Sequence, residues 1–157
     1  LSGFLFWKEL IVVVKSKYGN KKVTVDGIEF DSKLEADYYL HLKQLHKDGV
    51  VESFEMQKQY VLLDAYVMNG KKRQPVKFTP DFVVTYAYGR IEVVDIKGSK
   101  FAISRDFPLR KKMFEQRYQV PLHVIGYSKI DGGWIDLDDL DKARQSRKKA
   151  KQRAGKD

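Results

Sequence analysis

The stretch T79-P-D-F-V-V-T-Y-A-Y-G-R-I-E-V-V-D-I-K-G98 holds two runs rich in Val, Ile, Phe, Tyr and Thr, joined by a Gly-containing turn and bounded by Pro80 and Gly98. Both runs read as strands and the pair as a β-hairpin. A carboxylate, Asp81, enters the first strand, and Asp95-Ile96-Lys97 leaves the second. Whether the three charged groups meet depends on register, because a slip of one residue sends a side chain to the other face of the sheet. If Ala87, Tyr88 and Gly89 form a type I turn closed by Gly89 in the left-handed region, Tyr86 pairs with Arg90 and Asp81 comes opposite Asp95. Lys97 then follows on the same face. A two-residue turn at Tyr88 and Gly89 would separate the acids onto opposite faces.

Two adjacent carboxylates repel unless a cation lies between them. Magnesium suits such a pair: it is a hard ion that takes one or two carboxylates, keeps several waters and reaches phosphate oxygens. Asp81, Asp95 and the backbone carbonyl of Ile96 are the expected ligands, with Mn2+ able to substitute. Lys97 is placed to orient an attacking water and to stabilise charge developing on phosphorus-bound oxygens. The same pattern is also the ordinary form of a strand-end ion pair in a chain that is 32% charged.

Upstream, FDSKLEADYYLHLKQLHKDG (Phe30 to Gly49) reads as a helix with Leu34, Tyr38, Leu42 and Leu45 on one face and a stop at Gly49. Glu35 lies in its first turn. Ser32-x-x-Glu35 is a capping box, and a first-turn Glu is equally able to serve a site at a sheet edge, so both roles stay open.

Together, Glu35 on an early helix, Pro80-Asp81 and Asp95-Ile96-Lys97 resemble the PD-(D/E)xK, or restriction-endonuclease-like, nuclease superfamily. The resemblance runs from about Val23 to Tyr127. It is strongest to small phage-encoded endonucleases, and the wording is also similar to Holliday junction resolvases and to TnsA-type transposon end-cleaving enzymes. It implies an α/β fold with a mixed central sheet flanked by helices, Asp81 and Asp95 as metal ligands, Lys97 as the catalytic lysine and Glu35 as an accessory acid, with Glu35 a further metal ligand if it is not engaged as a cap. Asp95 stands where many members carry Glu. It further implies a magnesium-dependent endodeoxyribonuclease acting on branched or structured DNA in the cytoplasm. Symmetric cutting of a junction needs two sites, hence a homodimer. End cleavage or nicking beside a partner protein, and a non-catalytic DNA-binding module, are the alternatives.

The composition fits one intracellular domain. At 157 residues the chain can bury one sizeable core. It has no Cys, which excludes disulfides and thiolate zinc sites, and His41, His46 and His123 do not form a ligand set. No P-loop, dinucleotide glycine fingerprint or nucleophile elbow occurs. The opening LSGFLFWKELIVVV is interrupted by Lys8 and Glu9 and is shorter than a membrane span, so Phe4 to Val14 reads as a helix or strand packing on the domain or on a second copy. By character the chain divides into an apolar segment (1–22), a nuclease core (23–135) and a basic helix or tail (136–157).

Other elements follow the same rules. Asp26-Gly27 turns between two short strands, and VVESFEMQ and KQYVLL are strands. Asn69-Gly70 predicts that Tyr60 to Met68 pairs with Gln74 to Thr79. Phe107 to Tyr118 reads as an amphipathic helix with Leu109, Met113 and Phe114 inward and Arg110, Lys111 and Arg117 facing DNA. PLHVIGY is a strand, and DLDDLDKARQSRKKAKQ a helix with an acidic start and basic finish that suit its dipole. Residues 142–157 hold eight Lys or Arg against one Asp, a net of +7 of the chain's +9. Such a block, including Arg147, Lys148, Lys149, Lys151 and Arg153, is suited to sequence-independent phosphate contacts, and is also compatible with a solvated tail.

Overall fold

Asp26 and Gly27 both adopt positive φ, 52° and 76°, the geometry of a tight hairpin turn. In the computed structural model, which describes residues 12–15 and 21–155, this turn joins β2 to β3 in the three-stranded antiparallel sheet of β1 (Val12–Lys15), β2 (Lys21–Val25) and β3 (Ile28–Phe30). Residues 1–11 and most of the expected N-terminal element lie outside the described residues. The helix α1 (Lys33–Lys47) follows. Ser32 is its N-cap: its carbonyl accepts from Ala36 N and its hydroxyl from Glu35 N. At the other end Val50 N bonds Leu45 O and Gly49 N bonds His46 O around a left-handed Gly49, a Schellman stop. Tyr39 and Lys43 both reach back to the Asp26 carboxylate, and these contacts, the Lys43 hydrogen bond first, hold its pKa below the usual carboxylate value. The chain falls into two compact units, Leu1–Gln44 and Leu45–Asp157, the division lying inside α1.

The second unit carries the main sheet. Its elements are β4 (Val51–Met56), β5 (Tyr60–Leu63), β6 (Tyr66–Met68), β7 (Lys71–Arg73), β8 (Val76–Phe78), β9 (Phe82–Tyr86), β10 (Ile91–Ile96), α2 (Phe107–Tyr118), β11 (Leu122–Ser128), β12 (Gly133–Asp136) and α3 (Leu137–Ala154). The strand order is β12-β11-β10-β9-β4, with β10 and β11 parallel and the other pairs antiparallel. The fold is thus mixed α/β, as expected. Among the described residues no helix is long and apolar enough to cross a membrane.

One face of this sheet presents Val83, Val93, Leu122 and Val124 to Phe107 and Phe114 of α2 and Leu137 and Leu140 of α3, which together form the core cluster. Leu62 of β5 and Phe78 of β8 extend it. On the opposite face Phe82, Val84, Val94 and Ile96 are buried as well. Two expectations need correction. Leu109 does not face inward but is 62% exposed, because the aromatic stripe Phe107, Phe114 and Tyr118 takes the core side of α2. The single long hairpin around Asn69-Gly70 is instead two short pairings, β5 with β8 and β6 with β7. Pro75, which has no N–H to offer a ladder, lies between β7 and β8 and breaks the pairing there. Strand β12, which the sequence reading did not anticipate, adds the edge beside β11.

Candidate active site

Hairpin β9–β10 has the odd-length loop on which the site depends. Tyr86 N bonds Arg90 O at 2.9 Å, Gly89 N bonds Tyr86 O at 2.8 Å, and Gly89 has φ +88°. The register runs Ile91 with Thr85, Glu92 with Val84, Val93 with Val83 and Val94 with Phe82, so the next position brings Asp95 level with Asp81. Asp81 itself lies just before β9. Its Oδ2 accepts from Ile96 N at 2.7 Å, which places the carboxylate against the Asp95–Ile96 peptide.

The opposite edge of β10 is already occupied, since Lys97 N donates to Ile125 O at 2.9 Å. Neighbouring residues of a strand send their polar groups to opposite edges, so the Ile96 N–H and carbonyl both point to the side where Asp81 stands. The carbonyl expected as a ligand therefore faces the Asp81 side.

Asp95 pairs with Val124 and shares its face of the sheet, which α2 and α3 cover. It is 4% exposed, a rare setting for a carboxylate. Lys97 Nζ stands 2.8 Å from Asp95 Oδ2 and 5.7 Å from the centre of the Phe107 ring. This is close ion-pair contact without hydrogen-bond geometry: Oδ2 is buried and has no hydrogen-bond partner. Buried polar atoms are almost always satisfied, so an exception invites a missing partner. Two carboxylates, one with an oxygen that makes no hydrogen bond, and a backbone carbonyl fit a hard divalent cation that keeps its own waters. Among the described residues no group of three or more His, Cys, Asp or Glu forms a metal-holding cluster, so the donor set rests on two acids.

Glu35 is engaged locally. Its Oε1 accepts from the Ser32 hydroxyl at 2.9 Å and its N–H donates to the same hydroxyl, which is the serine half of the expected capping box. His46 Nδ1 lies 3.0 Å from Val51 O, and burial lowers the pKa of His41.

The expected DNA-facing cations divide into two groups. Arg110 bonds Asp106 and Lys77 O, Lys111 stands 3.5 Å from Glu115, and Arg117 pairs with Asp64 at 2.9 Å. Arg147 grips Asp131 with two bonds of 2.6 and 2.9 Å; that contact raises its own pKa and lowers that of Asp131. Lys148, Lys149, Lys151 and Arg153 lie exposed along α3. Arg144, Arg147, Lys148 and Lys151 line a groove with Ile130 and Gln152.

Sequence reading missed three participants. Phe107 lies beneath the Lys97 ammonium. Arg144 of α3 donates to Gly98 O at 3.0 Å, tying the basic helix to the residue after Lys97. Gly126 lies where a Cβ would come within 3.1 Å of Lys97 O and 2.7 Å of Leu140 Cδ2. A glycine inside the apolar strand PLHVIGY is the usual mark of such a close backbone approach; nothing local marks the other two.

The chain has no significant match among curated proteins or among solved structures. A family model does match, over residues 15–135, a span that takes in the whole β9–β10 hairpin and the Lys97–Asp95 pair. By that match the chain belongs to the family described as "Protein of unknown function (DUF1064)".

Proposed function

We propose that this protein is a magnesium-dependent endodeoxyribonuclease of the PD-(D/E)xK type, acting on branched or structured DNA as a cytoplasmic homodimer. The observation that carries the reading is Asp95: a buried carboxylate, level with Asp81, whose Oδ2 makes no hydrogen bond and has the Lys97 ammonium 2.8 Å away. Buried charged groups in such settings are where active sites concentrate. Asp81, Asp95 and the Ile96 carbonyl are the groups that would hold Mg2+, or Mn2+ in its place. When bound, the ion supplies positive charge between the two acids and a Lewis-acid contact for a phosphate oxygen.

The chain's own groups do the rest. The Ile96 N–H fixes the Asp81 carboxylate, so its position is set by the ladder rather than by side-chain freedom. Asp95 and the Phe107 ring hold the Lys97 ammonium from two sides. From there Lys97 donates to the attacking water or to the phosphate oxygen that gains charge, the kind of preorganised donor that lowers such barriers most. Arg144, one of the cations lining the groove of α3, is tied to Gly98 just after Lys97. Phosphate contacts there add affinity without sequence preference.

The test is a cleavage panel of four-way junction, flap, linear duplex and single strand, with Mg2+ or with EDTA. Wild type is expected to cut in Mg2+ only, and Asp81→Ala or Lys97→Ala to lose about a hundredfold or more in rate while still binding DNA. Equal cleavage by wild type and both variants rejects the proposal. DNA binding with no cleavage of any substrate by wild type favours the binding-module reading.

A further inference from the structure

Strands β6 and β7 form a two-stranded ribbon that, among the described strands, pairs with no other. All six of its residues are exposed, and the apolar ones strongly so: Tyr66 46%, Val67 67% and Met68 53%. An isolated hairpin of this length is marginal in water, and three large apolar side chains on it have no folding role. The base is nevertheless held firmly. The Tyr118 hydroxyl bonds both Val61 N and Val61 O, at 3.0 and 2.7 Å, which clamps β5 to α2. Arg110 bonds Lys77 O and so fixes β8 to the same helix. At the tip Asn69 and Gly70 take φ 51° and 69°, which sets a tight two-residue turn. The result is a rigidly rooted, exposed projection.

Its chemistry indicates the occupant. Tyr66 pairs with Arg73, Val67 with Lys72 and Met68 with Lys71, so each apolar residue sits beside a cation on the same face. Segment 66–73 contains three cations and no acid. Asp64, the acid at its base, is already bound to Arg117. Among the described residues no carboxylate pairs with Lys71, Lys72 or Arg73. A two-stranded ribbon fits the width of a duplex groove, where cations reach the flanking phosphates and apolar side chains meet sugars and base edges. The ribbon is also close to the site along the chain, since β7 is followed by β8, which leads directly into Pro80-Asp81. From Arg73 to Asp81 the chain spans at most roughly 26 Å, on the order of eight base pairs.

We infer that the β6–β7 ribbon is a duplex-DNA contact, lying in a groove on the arm of the substrate whose phosphodiester reaches Asp81, Asp95 and Lys97. This rests on the nuclease reading for its substrate, but its test does not need cleavage. A fluorescein-labelled duplex of 24 base pairs is titrated with full-length protein in EDTA across a salt series, using wild type, Lys71→Ala/Lys72→Ala/Arg73→Ala and Val67→Ser/Met68→Ser. Loss of three phosphate contacts should flatten the log–log salt slope by about 2.7, so between 50 and 200 mM salt wild type loses roughly fortyfold more affinity than the triple variant. The Ser pair should bind more weakly with an unchanged slope. Circular dichroism melts close to wild type are expected for both, given the ribbon's exposure. Unchanged affinity and slope in the triple variant overturns the inference, as does failure of wild type to bind the duplex. A ribbon variant that turns a dimer into a monomer by light scattering, with its per-site DNA affinity intact, overturns it too and makes the ribbon a contact between copies. A nuclease reading that failed would show instead as no cleavage by wild type, with these binding results standing.

Discussion

Replacing Asp95 by Asn distinguishes a structural ion pair from a site kept unsatisfied for function. If the contact of 2.8 Å between Asp95 and Lys97 mainly stabilises the fold, removing one partner of a buried pair should cost about 3–5 kcal/mol. The geometry argues for the opposite sign. Lys97 is partly exposed and can recover hydration, whereas Asp95 Oδ2 is buried with the Lys97 ammonium beside it but no hydrogen bond, so the pair offsets only part of a desolvation cost of about 1–3 kcal/mol. The Asp81 carboxylate one ladder step away adds repulsion. Asn is isosteric, carries no charge and can turn its amide oxygen to Lys97. Without divalent ions Asp95→Asn is therefore expected to be more stable by about 1 kcal/mol, which raises Tm by roughly 2–4 °C in a chain of this size. Magnesium should reverse the order, because a ligand at a hundred times its Kd adds about 2.7 kcal/mol to wild type and little to a variant lacking a ligand. Calorimetric melts of both proteins, in EDTA and in Mg2+, read all four values. A variant that melts well below wild type in EDTA, or equal shifts for both in Mg2+, would refute the reasoning.

Three further outcomes follow from the same geometry. Glu35→Gln retains a capping side chain, so the melt should stay within about 1 kcal/mol of wild type, and a tenfold or greater loss of cleavage would then mark Glu35 as an accessory acid; full activity would leave it a cap. Gly126→Ala pushes a methyl against Leu140 and the Lys97 carbonyl, which should cost about 1–3 kcal/mol and slow cleavage beyond what the lower Tm explains; a neutral result would show that β11 yields easily. Burial, then the bond to Glu92, pushes the Tyr86 phenol up to about 12. Because the folded state holds this proton more tightly than the unfolded chain, which titrates near 10, its contribution is complete below about pH 10 and is lost as pH rises toward 12. Phenolate absorbance should show a late-titrating tyrosine that moves down in Glu92→Gln, and no change there would discount the bond.

The central hairpin was legible because its loop has few solutions. Gly89 accepts the left-handed turn, Tyr86 and Arg90 close it, and the register then follows as counting. The bounds of α2 were legible for a similar reason, Pro108 fitting only its first turn. Its inward face was legible at Met113 and Phe114 but not at Leu109, which lies off the side that Phe114 turns toward Phe78 and Tyr60. Strand β12 offers four residues opened by Gly133, too few for alternation to show, and exists because β11 has an edge to pair. The Arg144 contact with Gly98 joins residues 46 apart, and no local pattern announces such a distance.

The mixed pairing of the sheet explains why the acids meet where they do. Strand β10 outruns β9: the ladder ends at Phe82 and Val94, while β10 continues to Ile96. Its far edge remains paired with β11 through Lys97 N, and on its near edge the Ile96 N–H lies beyond the end of the β9 ladder. Asp81 meets the Ile96 N–H with a carboxylate instead. The substitution satisfies a donor that would otherwise be buried, and it brings a charged oxygen to the neighbourhood of Asp95, whose own Oδ2 makes no hydrogen bond. Fully antiparallel pairing of equal strand lengths would satisfy the same N–H with a carbonyl and leave no reason for an acid at position 81. The overhang is thus the feature that sets Asp81 against the Ile96 peptide and level with Asp95 at the strand end.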